Sequence, residues 1–261
     1  MSSEPHLDVN IEHRLGSLAL NICFETCAPW TLLFGASGSG KSTILRAIAG
    51  MVRPDRGRIA LRAQPVFDSA TNFYLAAHMR PVRWSAQRAS LFPHLTVAQN
   101  LAFAVAPIPG LSRAQKKSAV ADALAHFRLE ALGRHYPAQL SGGEQQRVAL
   151  ARGAIGARGK LLLLDEPFTG LDAPVRDDLI ANLRAFLGQT PVLSVTHSVA
   201  EALMLDARVL RLEHGSITRY GPAAEVLAPE IQRLRATLDG AVPPRLDAGT
   251  APSATTAPTR V

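Results

Sequence analysis

Cysteine and long apolar runs are both scarce in this chain of 261 residues, and their scarcity excludes two classes of protein. The two cysteines, Cys23 and Cys27, are spaced C-x-x-x-C and have neither a second pair nor a histidine cluster beside them. A secreted disulfide scaffold has more cysteines in a shorter chain, so we interpret both as ordinary thiols. No apolar run reaches the roughly 18 residues that span a bilayer. Any membrane role is therefore expected to come through a partner.

Clusters of basic residues are missing as well. Lys and Arg number 28 against 21 Asp and Glu, which gives a formal net charge of +7. A basic excess suits nucleotides, nucleic acid or an anionic membrane surface without choosing among them. The basic residues are scattered rather than arranged in a stripe, so we expect no nucleic-acid partner. Residues 1–7 lack the layout of a signal peptide, which predicts a cytosolic protein.

The apolar pattern that is present predicts an α/β protein. Residues 7–34 alternate in the way of β-strands, whereas 96–139 follow a helical period and form a helical insert. Segment 160–164 contains an unbroken apolar run that is typical of a buried parallel strand, 192–196 is predicted to be a second buried strand, and both alternate with predicted helices. This alternation predicts a parallel sheet with right-handed crossovers. Residues 240–261, rich in Pro, Ala, Thr and Gly, are predicted to be a disordered tail.

One stretch fits the phosphate-binding pattern G-x-x-x-x-G-K-[ST] at every fixed position. It lies between a predicted buried strand and a predicted helix, where backbone N–H groups and the helix dipole favour an anion. We expect Lys41 to reach the β- and γ-phosphates of a nucleoside triphosphate and the Ser42 hydroxyl to ligate Mg²⁺. The predicted nucleotide-binding residues are Gly35, Ala36, Ser37, Gly38, Ser39, Gly40, Lys41, Ser42 and Thr43.

Two adjacent carboxylates follow the run 160–164, which we expect to lie beside the phosphate-loop strand. In an open parallel sheet, ligand-binding groups collect beyond the C-terminal ends of the strands. Asp165 is predicted to hold Mg²⁺, directly or through water. Glu166 is predicted to be the general base that activates water near the γ-phosphate. An acidic helix cap or a solvated turn is the alternative.

Two further polar residues are candidates for the same site. His197 follows the run 192–196, where it can bind the γ-phosphate or orient the water. A single histidine is more often structural, but a position at the end of a third strand favours the catalytic interpretation. Gln87 could ligate Mg²⁺ through its carbonyl oxygen and sense the water, and the alternative is a residue of a surface loop.

The segment LSGGEQQR, residues 140–147, predicts a second anion site because a hydroxyl and two glycines lie at a helix N-terminus. The chain then has two phosphate cradles and one set of carboxylates. A head-to-tail dimer explains this most simply, with each ATP between the Lys41 loop of one chain and the Ser141 loop of the other. A simple helix cap is the alternative.

Taken together and in order, these motifs resemble the nucleotide-binding subunit of ABC transporters over about residues 7–230. The resemblance implies an α/β fold, namely a P-loop NTPase with a RecA-like parallel sheet core, an N-terminal antiparallel β subdomain and an inserted α-helical signature subdomain. The implied boundaries are 1–239 for the ATP-binding domain and about 88–155 for the insert. It also implies ATP and Mg²⁺ as cofactors and a homodimer. The residues implied to contact ATP across that dimer are Ser141, Gly142, Gly143 and Asp172.

The same resemblance implies partners in a membrane. Permease subunits would contact the region 87–95, with Phe92–Leu95 at the groove that receives their coupling helix, and a solute-binding protein would act indirectly. The chain would then be peripheral, at the cytoplasmic face of the inner membrane. The sequence is most similar to molybdate-importer ATPases, which implies uptake of an oxyanion. An importer of another solute, an exporter, and a soluble ABC ATPase that acts on DNA or ribosomes are the alternatives.

The sequence departs from that subfamily in three places. The first predicted hairpin offers His13 or Arg14 where an aromatic residue usually stacks on adenine. Trp84-Ser85-Ala86 replaces a usually apolar strand. The sequence also lacks the C-terminal β-domain that commonly binds the oxyanion and regulates transport, so the mode of regulation is not predicted.

Overall fold

The computed structural model describes residues 4–85 and 90–238. Within these ranges the strands form one sheet, and most of them are short segments of five to nine residues. The strands are β1 (Leu7–Leu15), β2 (Leu18–Thr26), β3 (Trp30–Phe34), β4 (Arg56–Leu61), β5 (Gln64–Asp68), β6 (Phe73–Tyr74), β7 (Val82–Ser85), β8 (Leu161–Asp165), β9 (Val192–Thr196), β10 (Arg208–Glu213) and β11 (Ser216–Pro222).

The helices begin where the sequence supplies caps. Three of them, the second to the fourth, start with a capping box in which a Ser or Thr and a Gln or Glu three residues later bond each other's backbone N–H groups. The helices are α1 (Lys41–Ala49), α2 (Val97–Val105), α3 (Arg113–His126), α4 (Gly142–Ile155), α5 (Ala173–Leu187), α6 (Val199–Met204), α7 (Ala223–Val226) and α8 (Ala228–Leu238).

The sheet has a parallel half and an antiparallel half. Its order is β6-β5-β4-β1-β2-β11-β10-β3-β9-β8-β7, and the last five of these strands run parallel to one another. The pairs among β1, β2, β4, β5 and β6 are antiparallel, as is the hairpin β10–β11. A single parallel pair, Ser216 with Asn21, joins the halves. The predicted fold class, with a parallel core and N-terminal antiparallel strands, is confirmed.

Apolar side chains cover both faces of the parallel half. Successive residues of a strand point to opposite faces, so Leu162 and Leu164 of β8 belong to one hydrophobic cluster and Leu161 and Leu163 to the other. Residues of α2 to α5 complete the first cluster, and residues of α1 complete the second. The residues Leu161–Leu164 form an unbroken apolar run because helices bury both faces of β8.

One expectation about the sheet is wrong. We expected β8 to lie beside the phosphate-loop strand β3, but β9 lies between them, pairing Trp30 with Val192 on one side and Leu162 with the same Val192 on the other. All three strands are buried along their whole length. Their composition therefore holds no signal that ranks them as neighbours.

The boundaries of the proposed domains remain predictions. Helices α2 to α4 cover residues 97–155 of the expected insert, and their side chains share a hydrophobic cluster with the sheet. The expected tail, 240–261, lies outside the described residues. In the part of the chain that the structure describes, no helix has both the length and the apolar character needed to cross a bilayer.

Arg80 fixes the C-terminal end of α1, the helix that follows the phosphate loop. Its side chain is buried, with 3% of the residue exposed. Nη1 donates to the carbonyl oxygens of Ala47 and Ile48 at 2.8 Å each, and Nε donates to that of Leu75 at 2.9 Å. Ala47 and Ile48 lie in the last turn of α1, where carbonyl groups have no N–H partner within the regular helix.

Replacement of Arg80 with leucine is expected to lower the free energy of unfolding by about 2–4 kcal/mol, because buried carbonyl groups lose their donors. Urea denaturation measures the change. Arg58→Leu is the matched control: its Nη1 lies 3.7 Å from an Asp8 oxygen, with 46% of the Arg58 side chain exposed, and such surface pairs contribute about 0–1 kcal/mol. Equal losses in the two variants would contradict the role given to Arg80.

Candidate functional site

The glycine-rich loop between β3 and α1 has the backbone that a phosphate cradle needs. Gly38 and Gly40 have positive φ angles of 79° and 98°, which glycine adopts without strain. A Cβ on Gly35 would lie 2.5 Å from the carbonyl oxygen of Leu212 on β10, so a side chain does not fit there. Helix α1 begins at Lys41, directly after the loop. The loop therefore turns sharply onto a helix N-terminus.

Polar groups of the loop point into the cradle. Lys41 is buried, and its Nζ donates to the carbonyl oxygens of Gly35 at 2.9 Å and Ala36 at 2.8 Å. Burial lowers the pKa of Lys41, and the carboxylates of Glu166 and Asp165 oppose this shift. The Ser39 hydroxyl is buried without a hydrogen-bond partner among the described residues. A cationic group and an unpaired buried hydroxyl fit a bound triphosphate.

The Ser42 hydroxyl donates to Asp165 Oδ1 at 2.9 Å, which joins the first turn of α1 to the end of β8. The two meet although β8 is not next to β3, because α1 packs across β9 and onto β8. Burial of Asp165 raises its pKa, and the nearby charge of Glu166 acts in the same direction, whereas the Ser42 bond opposes it. A hydroxyl and a carboxylate oxygen are the hard ligands that Mg²⁺ prefers. The pair fits that ion.

Glu166 is held in an uncommon conformation. Its φ is +46°, in the left-handed region that costs a non-glycine residue free energy. Its backbone N–H donates to the Val195 carbonyl oxygen at 3.1 Å, and its Oε2 accepts a bond from the Thr169 hydroxyl at 3.2 Å. His197 Nδ1 lies 3.6 Å from Glu166 Oε1, and 62% of the His197 side chain is exposed. Two predicted catalytic residues therefore lie side by side, at the open ends of β8 and β9.

Replacement of Asp165 with asparagine is expected to raise the melting temperature of the nucleotide-free chain at neutral pH while it removes hydrolysis. The raised pKa of Asp165 means that its carboxylate destabilises the folded state wherever it is ionised. The neutral carboxyl binds its proton more tightly in the folded chain, so this loss of stability disappears as the pH falls through that pKa. The variant's advantage should shrink in acid, which thermal melts between neutral pH and pH about 4 would test. A lower melting temperature of the variant at neutral pH would contradict this account.

The predicted second anion site is a capped helix N-terminus. The Ser141 hydroxyl accepts from the Glu144 N–H at 3.3 Å and donates to Glu144 Oε2 at 2.8 Å. The Ser141 backbone N–H lowers the pKa of the Glu144 carboxyl, and the Ser141 hydroxyl adds to this shift. Among the described residues, no hydrogen bond or ion pair joins Ser141–Gly143 to the phosphate loop. The two cradles do not meet within one chain, and the contact across a dimer stays a prediction.

The remaining predicted residues are dispersed. Asp172 is exposed and precedes α5, and its side chain forms no cap bond. Gln87 lies outside the described residues. Asp55 lies beside both candidates of the first hairpin: its Oδ2 lies 3.4 Å from His13 Nδ1 and accepts from the backbone N–H of Arg14 at 2.7 Å. These contacts do not assign either His13 or Arg14 to adenine.

Two residues near the site were not predicted from the sequence. Thr169 binds Glu166 as described, and Glu201 is a buried carboxylate that accepts a 2.6 Å bond from the Thr196 hydroxyl. Burial raises the pKa of Glu201. A signal for Glu201 was available, because Ser198 caps α6 and S-x-x-E marks a helix N-terminus. No comparable local signal distinguishes Thr169.

Known proteins resemble this chain in sequence and in fold. The profile of the ABC transporter family matches residues 26–169. The molybdenum import ATP-binding protein ModC of Rhodospirillum rubrum is 41% identical over 90% of this chain and 64% of its own length. ModC of Mesorhizobium japonicum is 39% identical over 84% of this chain and 59% of its own. The probable sulfate/thiosulfate import ATP-binding protein CysA of Chlorella vulgaris is 44% identical, over 84% and 85%.

Two solved structures share the fold at 24% identity. A dimeric, post-hydrolysis ATP-binding cassette bound to ADP and Pi has a TM-score of 0.67, over 83% of this chain and 98% of its own. The cbiO1 protein of Clostridium perfringens has a TM-score of 0.71, over 90% and 96%. The chain spans about three fifths of the length of the ModC relatives it matches. The match of the profile and of relatives above 30% identity shows that the chain belongs to the ABC transporter ATP-binding family.

Proposed function

We propose that this chain is the ATP-hydrolysing subunit of an ABC importer that takes up an oxyanion, with molybdate as the first candidate. The observation that carries the proposal is the position of Glu166. This carboxylate lies beyond the end of β8, next to the Ser42–Asp165 pair and 3.6 Å from His197. A base beside a phosphate cradle and a pair of Mg²⁺ ligands is the arrangement that hydrolysis of a γ-phosphate requires.

The chain's own residues have distinct parts in this reaction. The loop N–H groups and Lys41 would bind the phosphates, and Ser42 and Asp165 would hold Mg²⁺. When bound, that ion neutralises charge on the phosphate oxygens. Glu166 accepts a proton from the attacking water at one of its carboxylate oxygens, and the Thr169 hydroxyl, bonded to Oε2, orients that carboxylate. His197 orients the water or binds the γ-phosphate. Gln87 is proposed as a further Mg²⁺ ligand.

A second copy of the chain completes this site in the proposal. Three residues of the phosphate loop, Ala36, Ser37 and Gly38, are exposed, as is His197, so the phosphate cradle is open to solvent in one chain. We propose that Ser141, Gly142, Gly143 and Asp172 of the second chain close it and exclude water from the γ-phosphate. One chain alone should then hydrolyse ATP poorly.

The transported solute follows from relatives rather than from the site. Relatives named for molybdenum import and for sulfate/thiosulfate import match the chain at similar identity. Molybdate and sulfate are both tetrahedral dianions, so we propose that class of solute and rank molybdate first because four relatives at 35–41% identity are named for molybdenum import. Residues 1–239 would form the ATP-binding domain at the cytoplasmic face of a membrane. Permease subunits would span it, and a solute-binding protein would deliver the anion.

Reconstitution with candidate permease subunits from the same organism tests the proposal. Proteoliposomes would be assayed for ATP hydrolysis and for uptake of labelled molybdate and sulfate, with the candidate binding protein present. We expect hydrolysis that rises with one of the two anions and uptake of that same anion. Efflux of solute, or hydrolysis that no permease stimulates, would contradict an importer.

A further inference from the structure

The segment between β5 and the middle of α3 contains no acidic residue. Residues 69–121 include neither Asp nor Glu but hold six basic residues. This segment includes β7 and α2 and contributes to a pocket beside Phe92. The basic residues are Arg80, Arg83, Arg88, Arg113, Lys116 and Lys117.

A pocket of about 320 Å³ opens between β7, α2 and α4. Its walls combine aromatic rings with two guanidinium groups. The rings of Phe92 and Phe103 are 4.5 Å apart, and Phe103 is 57% exposed although it is apolar. Arginine together with exposed aromatic side chains in a pocket is typical of the central residues of protein interfaces. The residues that line it include Arg83, Trp84, Ser90, Phe92, Phe103 and Arg152.

Arg83 is incompletely bonded in this pocket. Its Nη2 donates to the Ala104 carbonyl oxygen at 3.1 Å, but its buried Nε has no hydrogen-bond partner among the described residues. The guanidinium packs against the backbone of Gly156, where an added Cβ would lie 2.5 Å from Nε. Burial lowers the pKa of Arg83, and no carboxylate opposes that shift. Strand β7, which is usually apolar in the subfamily that the sequence resembles, therefore carries Arg83, whose Nε is shielded from water.

Arg152 brings a second cation to the same pocket. Its guanidinium lies 5.1 Å from the centre of the Phe92 ring, and it donates to the Ser90 carbonyl oxygen and to Asn100 Oδ1. Burial lowers the pKa of Arg152, and the nearby charge of Arg83 lowers it further. Within the described ranges, neither arginine forms an ion pair. The sequence 86–89 is Ala-Gln-Arg-Ala and also brings no carboxylate.

The loop that carries Phe92 is held in place. Asn100 is fully buried on α2, and its Oδ1 accepts from the Phe92 N–H at 2.9 Å while its Nδ2 donates to the Leu95 carbonyl oxygen at 3.0 Å. The pocket wall is thus fixed before anything enters it. A pre-formed wall reduces the entropy lost when a partner binds.

We propose that this pocket receives the carboxylate of an Asp or Glu side chain from the permease partner. The inference rests on the proposed function, because it names the chemistry by which that partner is recognised. Arg83 and Arg152 are partly buried cations that repel each other, which is unfavourable without an anion, and guanidinium groups bind carboxylates through paired donors. The aromatic rings would cover the apolar stem of the acidic side chain. A small inorganic anion has no such stem, so the rings favour a protein side chain.

Replacement of Arg83 with methionine tests the proposal, with Arg113→Met as the matched control. Arg113 is exposed and belongs to the same acid-free segment. The probe is the permease that stimulates ATP hydrolysis by this chain in the reconstitution above, purified in nanodiscs. The readouts are the affinity of that permease for the full chain and the ATPase activity of the chain with and without it. Arg83→Met should weaken binding by about 30-fold or more, and Arg113→Met by no more than about 3-fold.

A second readout separates recognition from a structural role. The unpaired cation destabilises the free chain, so Arg83→Met should leave its melting temperature unchanged or higher and leave its basal ATPase unchanged. A lower melting temperature would mean that Arg83 serves only to hold α2 and α4 together. Replacing each acidic residue of the permease's cytoplasmic loops with its amide should find one whose effect is not additive with Arg83→Met, which would identify the carboxylate.

The other outcomes overturn the inference in distinguishable ways. If wild type binds the permease and Arg83→Met binds equally well, the carboxylate pocket is wrong and the proposed function stands. If wild type neither binds nor responds to the permease, both fail. Stabilisation by molybdate or sulfate alone at about millimolar concentration, lost in Arg83→Met, would make this a site for a free anion. Tighter permease binding after removal of 239–261, which include Asp239 and Asp247, would make the chain's own tail the occupant.

Discussion

Replacement of Glu166 with glutamine is expected to reduce ATP turnover by about 10²–10⁴-fold while ATP binding is retained. The amide cannot accept a proton from water, but it is nearly the same size and can still accept the bond from Thr169. The phosphate loop and the Ser42–Asp165 pair are unchanged, so affinity for the nucleotide should stay within a few-fold. Release of phosphate measures turnover, and a fluorescent ATP analogue measures binding.

The same variant should accumulate as an ATP-bound dimer, because hydrolysis no longer separates the two chains. Size-exclusion chromatography with ATP and Mg²⁺ would detect it. Glu130→Gln replaces an exposed glutamate in a short helical turn outside the site and should behave as wild type. Near-normal turnover in Glu166→Gln would show that another group is the base. Elution only as a monomer would count against the composite site.

The second large effect is expected from Ser141→Arg in the Glu166→Gln background. A long cation at this position would occupy the space of the phosphates of the opposite chain, so the ATP-dependent dimer should be lost. Binding of ATP to the single chain should be retained, because the described contacts do not join Ser141 to the phosphate loop. Chromatography with ATP, together with nucleotide binding measured at low protein concentration, separates the two effects.

Ser112→Arg provides a closely matched control. Ser112 caps α3 through the same reciprocal bonds, with Gln115 in the place of Glu144, and it is also exposed. Both substitutions remove a cap and should therefore cost a similar free energy, about 1 kcal/mol. Only Ser141→Arg should prevent the dimer. Equal loss of the dimer in both variants would mean that helix stability, rather than a phosphate contact, is being measured.

The motif residues could be predicted from the sequence because their chemistry restricts the residue types at fixed spacings. Lys41, Ser42 and Asp165 belong to patterns of this kind, and the structure places all three at or beyond the carboxyl ends of the parallel strands β3 and β8. The residues that orient these side chains were harder to predict from the sequence. Thr169 was not predicted, since its bond to Glu166 depends on the backbone turn at a residue with φ of +46°.

The order of the strands and the pairing of the buried cations could not be predicted. Helices that pack on both faces of the sheet determine which strands lie beside β3. The composition of these buried strands does not indicate that order. Arg80 and Arg83 lie in a stretch, 62–86, whose apolar residues follow no clear period. Whether such an arginine meets a carbonyl group, a carboxylate or neither depends on distant segments, as Arg80 at the end of α1 illustrates.

Helix α4 connects the pocket beside Phe92 to the edge of the chain that a second copy would meet. Arg152 lies near its C-terminal end and Ser141 precedes its first residue. A helix of 14 residues is about 21 Å long, with a rise of 1.5 Å per residue, and it is stiff over that length. Gly153 allows α4 to pack closely against β7, because a Cβ added at Gly153 would lie 3.4 Å from the Cβ of Ser85. In the proposed assembly, α4 would therefore link the permease contact at Arg152 to the dimer contact at Ser141, because a stiff helix moves as one body.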